Sequence, residues 1–334
     1  MVIDAFCHFI PKEAIRAYVG MRVPPRMNFL DVSVSEAGSH LADDDARVAY
    51  MDKFGIDVEV LSFSQVGELW QTLNGGEKLR FTRVVNDSMA RVAQRHKGRL
   101  VAVATLPMLD GEALDELDRA IGQLGLKGCM IYSNVNGKPL DSPEFMPFYQ
   151  RMAKHGVPLF IHPTNSPYYN WISEYQLGQA FGWPFDTSLA VARLLFGGVL
   201  EKFPDLKIVV HHMGAMIPFF AKRLDGFYEE AKSDPEMFAR AYGNRPALKS
   251  PPSQYLKKLY GDTVVNGSAA ALKCGYEFFG AEHIVFATDY PFGPRHGVDW
   301  TRQTLEIVRN SGFSQKERAK ILEGNIRRLV EIPE

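Results

Sequence analysis

Short runs rich in Val, Ile and Leu recur along the chain, and a longer segment with helical spacing follows each run. The runs are apolar on both faces, which is typical of parallel strands that helices cover on either side. Eight such units favour a closed (β/α)8 barrel (TIM barrel), an α/β fold, over an open sheet. The runs are VIDAFC, VEVLSF, RLVAVATLP, KGCMIYS, VPLFIH, LKIVVHH, LYGDTVVNG and HIVFATD.

The segments between the runs predict helices and loop insertions. After the sixth run, Ile217, Phe220, Leu224 and Phe227 fall at helical spacing and predict an amphipathic stripe. Residues 21–44 and 232–252 are rich in proline and other turn formers, without a change in composition. We therefore predict small insertions in barrel connections, and a single domain over residues 1–334.

Charge and cysteine content restrict the class of protein. The chain has 38 Lys and Arg against 39 Asp and Glu and no basic tract, so we expect a small-molecule partner and no nucleic acid. The cysteines Cys7, Cys129 and Cys274 lack CxxC spacing, which argues against a disulfide framework and a cysteine-rich zinc site. With no signal-peptide pattern and no apolar run of about 18 residues, we predict a cytoplasmic protein without a membrane partner.

Chemistry in such a barrel takes place at the C-terminal ends of the strands. Four of the eight predicted strands end in groups able to bind a metal ion or move a proton. A lone strand-end histidine is more often structural, but the five other histidines fall off the strand ends, so the set favours a functional site. The strand-end residues are His8, His162, the pair His211-His212 and Asp289; the other histidines are His40, His96, His155, His283 and His296.

Side-chain alternation predicts which of these groups share a face. Residues two apart on a strand point the same way, so Phe6 and His8 share a face while Cys7 points to the other. Asp4 is expected on the face of Phe6 and His8 but about 6.6 Å deeper than Phe6, two residues at about 3.3 Å each, so it cannot simply replace a ligand at position 6. The pair His211-His212 should face opposite sides, so only one ring enters the barrel mouth, and alternation leaves open which one.

Four motifs then indicate a family. In order, the chain contains IDAFCHFIP, IHPTN, HHMGAMIPFFAKRLD and ATDYPFG. Together they resemble the decarboxylase-type branch of the amidohydrolase superfamily (amidohydrolase-2), which contains aminocarboxymuconate-semialdehyde decarboxylase and gamma-resorcylate decarboxylase. The resemblance implies a zinc or manganese ion, and the matching ligands here are His8, His162 and Asp289. The family's first strand-one ligand, a histidine or glutamate, falls at Phe6, which cannot coordinate a metal.

The metal itself stays open at this point. Two imidazoles and one carboxylate can hold a divalent cation with positions left for water and substrate. Because Phe6 replaces a family ligand, the affinity should be weakened, so a bound ion, a weakly bound ion and a metal-free site are all compatible with the sequence. The resemblance implies no organic cofactor.

The same resemblance implies roles for further residues. The family's strand-six histidine matches His212, which would transfer protons together with Asp289, whereas His211 occupies a position that the family does not use. Arg47 and Arg223 match arginines that bind a substrate carboxylate, a role that suits the guanidinium group. A plain surface role is the alternative for each arginine.

Arg223 bears on the oligomeric state. It lies about eight residues into its helix, roughly 12 Å from the mouth of its own barrel at 1.5 Å per residue. In the family that the chain resembles, the corresponding arginine reaches the active site of the neighbouring subunit. The resemblance therefore implies a homodimer or higher homo-oligomer.

The implied function is nonoxidative decarboxylation of a small unsaturated or aromatic acid, hydroxybenzoate-like or carboxymuconate-like, by a carbon-carbon lyase (carboxy-lyase). Direct cleavage would leave an unstable carbanion, so the reacting carbon must first become sp³ by adding a proton or hydroxide. Two alternatives use the same chain. One is a hydrolase or hydratase of a related lactone or enoic acid, and the other is a non-catalytic binding protein that has lost its metal, with Phe6 as the lesion.

Overall fold

The computed structural model describes residues 1–20, 41–63, 70, 73–164, 172 and 174–333. Within these residues eleven strands are present, numbered here in chain order. They are β1 Ile3–Phe9, β2 Val58–Phe63, β3 Leu100–Ala102, β4 Ala104–Thr105, β5 Cys129–Tyr132, β6 Asn134–Val135, β7 Lys138–Pro139, β8 Leu159–His162, β9 Ile208–Val210, β10 Tyr260–Asp262 and β11 Ile284–Val285. Two parallel sheets have the orders β1-β2-β3 and β11-β10-β9-β8-β5-β4, and β6 and β7 form a separate antiparallel hairpin.

Backbone hydrogen bonds join the two parallel sheets into a closed ring. Only Val103 separates β3 from β4, so the second sheet continues the first. On the other side, the Ala5 N–H donates to the Phe286 carbonyl at 2.7 Å and the His8 N–H donates to the Tyr290 carbonyl at 2.8 Å, which ties β1 to the chain after β11. The eight predicted apolar runs therefore form the eight strands of a (β/α)8 barrel, and the predicted fold is confirmed.

Helices cover the outside of the barrel, and residues in β1, β2, β8 and β9 are accordingly all buried. The α-helices are Lys12–Gly20, Asp44–Phe54, Gly75–Arg95, Ala113–Gly122, Met146–His155, Trp183–Phe196, Val199–Lys202, His211–Gly214, Ile217–Ser233, Pro235–Tyr242, Pro252–Leu256, Ala269–Phe279, Val298–Arg309, Gln315–Ala319 and Asn325–Leu329. Shorter 3₁₀ turns are Pro143–Phe145 and Ala281–His283, and π-helical turns are Gly178–Gly182 and Lys320–Gly324.

A bulge in β1 changes which of its side chains share a face. Asp4 pairs with Glu59 and Cys7 pairs with Leu61, so β1 advances three residues where β2 advances two. A bulge of this kind inserts one residue that has no partner on the facing strand. It brings one ligand atom each of Asp4, Cys7 and Glu59 within 4.8 Å of one another. The prediction that Asp4 lies below His8 on the same face was therefore wrong, because strict alternation ends at a bulge.

The helix Ile217–Ser233 buries a different face from the predicted stripe. Ile217 is buried, but Phe220 is 39% exposed and Phe227 is 54% exposed. Phe219, beside them, is 75% exposed. We call Phe219, Phe220 and Phe227 the outward aromatic face. The residues that the helix buries are Ile217, Ala221, Asp225, Tyr228 and Ala231.

Only one of the two predicted insertions lies fully within the described residues. The insertion over 232–252 contains the helix Pro235–Tyr242 and an irregular stretch up to Pro252. Residues 21–40 of the other insertion lie outside the described residues. The single domain stays a prediction. In the described part of the chain, no helix combines the length and apolar character that crossing a membrane requires.

Candidate active site at the barrel mouth

Three histidines from β1, β8 and the end of β9 converge at the C-terminal end of the barrel. His8 lies near the end of β1, His162 is the last residue of β8, and His211 follows β9 directly. One ring nitrogen from each lies within 4.8 Å of those of the other two. All three side chains are buried, so the rings face one another rather than solvent.

Asp289 adds a carboxylate to this cluster. Its Oδ1 lies 2.9 Å from Nε2 of His8 and 3.3 Å from Nε2 of His211. Asp289 follows β11 with a left-handed φ of 64°, and its N–H donates to the carbonyl of Phe6 at 3.2 Å. Burial alone would raise the pKa of Asp289, but the hydrogen bond from His211 and the charge of that ring hold it well below its usual range. The group is therefore a carboxylate at neutral pH.

The Nδ1 atoms of His8 and His162 each have a hydrogen-bond acceptor beside them. Nδ1 of His8 lies 2.9 Å from Oγ of Ser62, whose own proton is donated to the Cys7 carbonyl at 3.2 Å. Nδ1 of His162 donates to the Pro163 carbonyl at 2.6 Å. A ring that carries its proton on Nδ1 has a free lone pair on Nε2. Burial lowers the pKa of both rings, most strongly for His162, which keeps them neutral.

His211 is held in the same way by a carboxylate. Its Nδ1 donates to Oδ2 of Asp262, the last residue of β10. The other oxygen of Asp262 accepts from the N–H groups of Met213 at 3.1 Å and Val264 at 3.0 Å, which fixes its orientation. Burial acts to lower the pKa of His211, but Asp262 and Asp289 together raise it to about 10.

His212 enters the same site because the chain turns sharply after β9. His212 and Met213 have left-handed φ values of 57° and 56°. The rings of His211 and His212 are 4.0 Å apart, and both offer a ligand atom within 4.8 Å of one on Asp289. The expectation that only one of the pair enters the barrel mouth was wrong, since alternation applies only within the strand. Burial and the charge of His211 lower the pKa of His212 to about 4, so its ring is neutral at pH 7.

Phe6 forms one wall of the cluster. Its ring stacks on His211 with centroids 4.2 Å apart and lies 5.5 Å from the ring of His8 and 5.9 Å from that of His162. Phe6 is 1% exposed. It therefore occupies the space beside the cluster without offering a ligand.

These residues fit a divalent metal ion. Nε2 of His8 is buried and, although 2.9 Å from Asp289 Oδ1, is not aligned with it as a hydrogen bond. Imidazole nitrogens around one carboxylate are ligands that zinc and manganese accept. A common ion between the ring and the carboxylate would satisfy both atoms.

The two predicted arginines lie in very different places. Arg47, in the helix Asp44–Phe54, is 0% exposed; it pairs with Glu59 at 2.7 Å and donates to the carbonyl of His8. Its guanidinium also lies 4.9 Å from the ring centre of Tyr290. These contacts position the end of β1, and the predicted substrate contact of Arg47 stays a prediction. Arg223 is exposed and lies over the ring of Phe227 at 4.8 Å.

Aromatic rings surround the histidines, and some polar partners were missed by the sequence reasoning. Phe292 lies 5.4 Å from His8, and Trp183 lies 6.2 Å from His162. Ser62 and Asp262, which hold Nδ1 of His8 and His211, were not predicted. The signal for Asp262 was available, because it is a carboxylate at the end of the strand in LYGDTVVNG.

Comparison with known proteins places this site in context. Residues 3–332 match the family model described as amidohydrolase. The 2-amino-3-carboxymuconate-6-semialdehyde decarboxylase of Dictyostelium discoideum is 31% identical over 296 residues, which cover 87% of this chain and 77% of that protein. The gamma-resorcylate decarboxylase of a Polaromonas species is 28% identical over 343 residues, 97% of each chain. A crystal structure of 5-carboxyvanillate decarboxylase from Novosphingobium aromaticivorans, with bound manganese and 3-methoxy-4-hydroxy-5-nitrobenzoic acid, has a TM-score of 0.85 at 25% identity and covers 99% of this chain and 97% of that one.

Proposed function

The chain belongs to the amidohydrolase family, and from this premise we infer that it is a nonoxidative carboxy-lyase of a small unsaturated or aromatic carboxylic acid. The observation that carries this inference is the convergence of His8, His162 and Asp289 at the mouth of a barrel whose named relatives are decarboxylases. These relatives are named for carboxylated aromatic and carboxymuconate substrates, which favours hydroxybenzoate-like or carboxymuconate-like acids here. Hydrolysis or hydration finds no support in these relatives.

The reaction needs a proton on carbon before the carboxylate leaves. Protonation makes the reacting carbon sp³, and the electron pair of the breaking carbon-carboxylate bond then restores the double bond or aromatic ring as carbon dioxide departs. We assign this proton transfer to His212 and Asp289, which offer nitrogen and oxygen atoms within 4.8 Å of each other at the barrel mouth. The neutral ring of His212 can accept a proton from a bound water and pass it on.

A zinc or manganese ion held by His8, His162 and Asp289 would polarise a water or a substrate oxygen. The surrounding chain supplies shape and exclusion of water. Phe6 and Phe292 present apolar rings next to His8, and a flat, unsaturated acid suits such walls. The carboxylate contacts of Arg47 and Arg223 are part of the same proposal.

We also propose that the protein is a homodimer or higher homo-oligomer. The outward aromatic face exposes three phenylalanines on one helix, and Arg223 lies among them. Exposed apolar clusters of this kind mark association surfaces. The predicted cytoplasmic location is part of the same proposal, and the three free cysteines are compatible with a reducing compartment.

The activity can be tested directly. Carbon dioxide release is measured from a panel of hydroxybenzoates and carboxymuconates with Mn²⁺ or Zn²⁺ added, and His212→Ala should lower kcat/KM by about 10²–10⁴. His283→Ala is the matched control, because His283 precedes β11 at the opposite end of the barrel and should leave the rate unchanged. Unchanged activity in His212→Ala would contradict the assignment, and binding of these acids without turnover would select the non-catalytic alternative.

A further inference from the structure

We propose that His211 takes over the place of the missing strand-one ligand, so that His8, His162, His211 and Asp289 hold the metal ion together. Phe6 and His211 would then form one exchange, in which an aromatic ring fills the position of the lost ligand on β1 and an imidazole at the end of β9 supplies the ligand instead. The inference deepens the proposed decarboxylase by completing its metal site. Its test measures metal binding, so it can fail while decarboxylation stands.

The first support is position. The ring of His211 stacks on Phe6, 4.2 Å away, and is 0% exposed. It lies 5.4 Å from the ring of His162 and 6.1 Å from the ring of His8. His211 is therefore on the wall where a ligand from position 6 would have entered the cluster.

The second support is the direction of the ring. Nε2 of His211 lies 3.3 Å from Asp289 Oδ1, the same oxygen that is 2.9 Å from Nε2 of His8. Two imidazole nitrogens and one carboxylate oxygen thus face a common point. Ligands at about 2.1 Å from a metal are at most about 4.2 Å apart, so the present separations need little movement to accommodate an ion.

The third support is the partner behind the ring. Asp262 accepts the Nδ1 proton of His211, as Ser62 and the Pro163 carbonyl do for His8 and His162. Carboxylate-histidine-metal arrangements use such a partner to fix the tautomer and orient the ring. Nδ1 of each ring is therefore occupied by its partner and Nε2 is the nitrogen available to the site, and His211 would release its Nε2 proton when an ion binds.

The experiment counts ligands and measures affinity with Mn²⁺ as the probe. Free Mn²⁺ is titrated by electron paramagnetic resonance, and pulsed measurements on the bound ion count the coordinated imidazole nitrogens. We expect three imidazoles in the wild-type protein and two in His211→Ala. The dissociation constant of His211→Ala should rise by at least the ~10–100-fold that loss of an outer partner costs.

Phe6→His in the His211→Ala background should return the third imidazole and most of the affinity. The proposal that His211 replaces the ligand at position 6 would be overturned if His211→Ala left the Mn²⁺ dissociation constant unchanged. It would also be overturned if the double variant bound Mn²⁺ as weakly as His211→Ala. No Mn²⁺ binding by the wild-type protein would also overturn it, in favour of a metal-free site in which a protonated His211 lies between Asp262 and Asp289.

A second variant keeps the proposal testable if His211→Ala does not fold. Asp262→Asn preserves shape and can still accept from the backbone, but its amide group would donate to Nδ1 of His211. The ring proton must then sit on Nε2, which prevents coordination. We expect Mn²⁺ affinity to fall by about 10–100-fold, whereas Asp299→Asn, at a largely surface-exposed ion pair with Arg295 and Arg302, should leave it unchanged. Wild-type affinity in Asp262→Asn would count against the proposal.

Discussion

Phe6 and His211 stack with their ring centroids 4.2 Å apart and an angle of 30° between the planes. The family resemblance implies a metal ligand at position 6, where Phe6 offers none, and no functional residue at position 211, where His211 stands. Because the two rings are in contact, the two departures form one structural unit at the barrel mouth.

Phe6 should also be important for stability. Its side chain is 1% exposed and contacts the rings of His8, His211 and Phe160. We expect Phe6→Ala to lower the free energy of unfolding by about 3–5 kcal/mol, measured by chemical denaturation without added metal. Phe181→Ala, at a side chain that is 71% exposed and outside the outward aromatic face, should change it by at most about 0.5 kcal/mol. Equal effects of the two substitutions would show that Phe6 is not a packing residue.

Substitutions at Arg47 and Glu59 can distinguish a structural role of Arg47 from a role in substrate binding. Both side chains are 0% exposed, with Nη1 of Arg47 2.7 Å from Oε2 of Glu59. Arg47→Met leaves a buried carboxylate without its partner and should cost about 3–5 kcal/mol, whereas Arg47→Met with Glu59→Leu should recover most of the stability. Unfolding free energy and KM are measured on both variants. If the double variant is stable but its KM rises more than about tenfold, the predicted substrate contact is supported. A tenfold rise corresponds to about 1.4 kcal/mol of lost binding free energy.

Asp4 should make stability depend on pH. Burial, reinforced by the charge of Glu59, raises the pKa of Asp4 to about 8 from 3.8. The folded chain therefore keeps a proton that the unfolded chain loses, so the stability from this group is full below about pH 4 and is lost as pH rises through about 8.

Asp4→Asn removes this dependence. The free energy of unfolding is measured by denaturation from pH 5 to pH 8 in both proteins. The wild-type value should fall more steeply than that of Asp4→Asn, by up to about 1.4 kcal/mol per pH unit. Parallel curves would show that Asp4 ionises normally in the folded protein.

Substitutions at Arg223 and on the outward aromatic face test the proposed oligomeric state. Phe227→Asp places a charge on an apolar surface and should shift the protein toward the monomer in analytical ultracentrifugation. If Arg223 serves the partner's site, Arg223→Ala and His212→Ala should each be weakly active alone. Mixing them under subunit exchange should return about a quarter of wild-type activity, since half of the dimers then contain one complete site. No recovery on mixing would place Arg223 outside the active site.

Much of the barrel and part of its site could be predicted from the sequence. Runs that are apolar on both faces define parallel strands locally, and the strand-end positions of His8, His162 and Asp289 follow from those runs. The structure brings these three residues together at one end of the ring. Asp262 was equally accessible to this reasoning and was overlooked.

The remaining features were decided by tertiary structure. Asp4 lies near Cys7 and Glu59 because a bulge in β1 breaks the alternation of side chains. The bulge is defined by how β1 pairs with β2, and the sequence of β1 alone does not specify that pairing. The rings of His211 and His212 share the site because left-handed residues follow β9.

Arg47 is buried because Glu59, on the strand that follows the helix of Arg47, neutralises it. Sequence periodicity describes a regular segment by itself. The bulge, the left-handed turn and the buried ion pair depend on contacts between different elements of the fold, so only the folded barrel determines them.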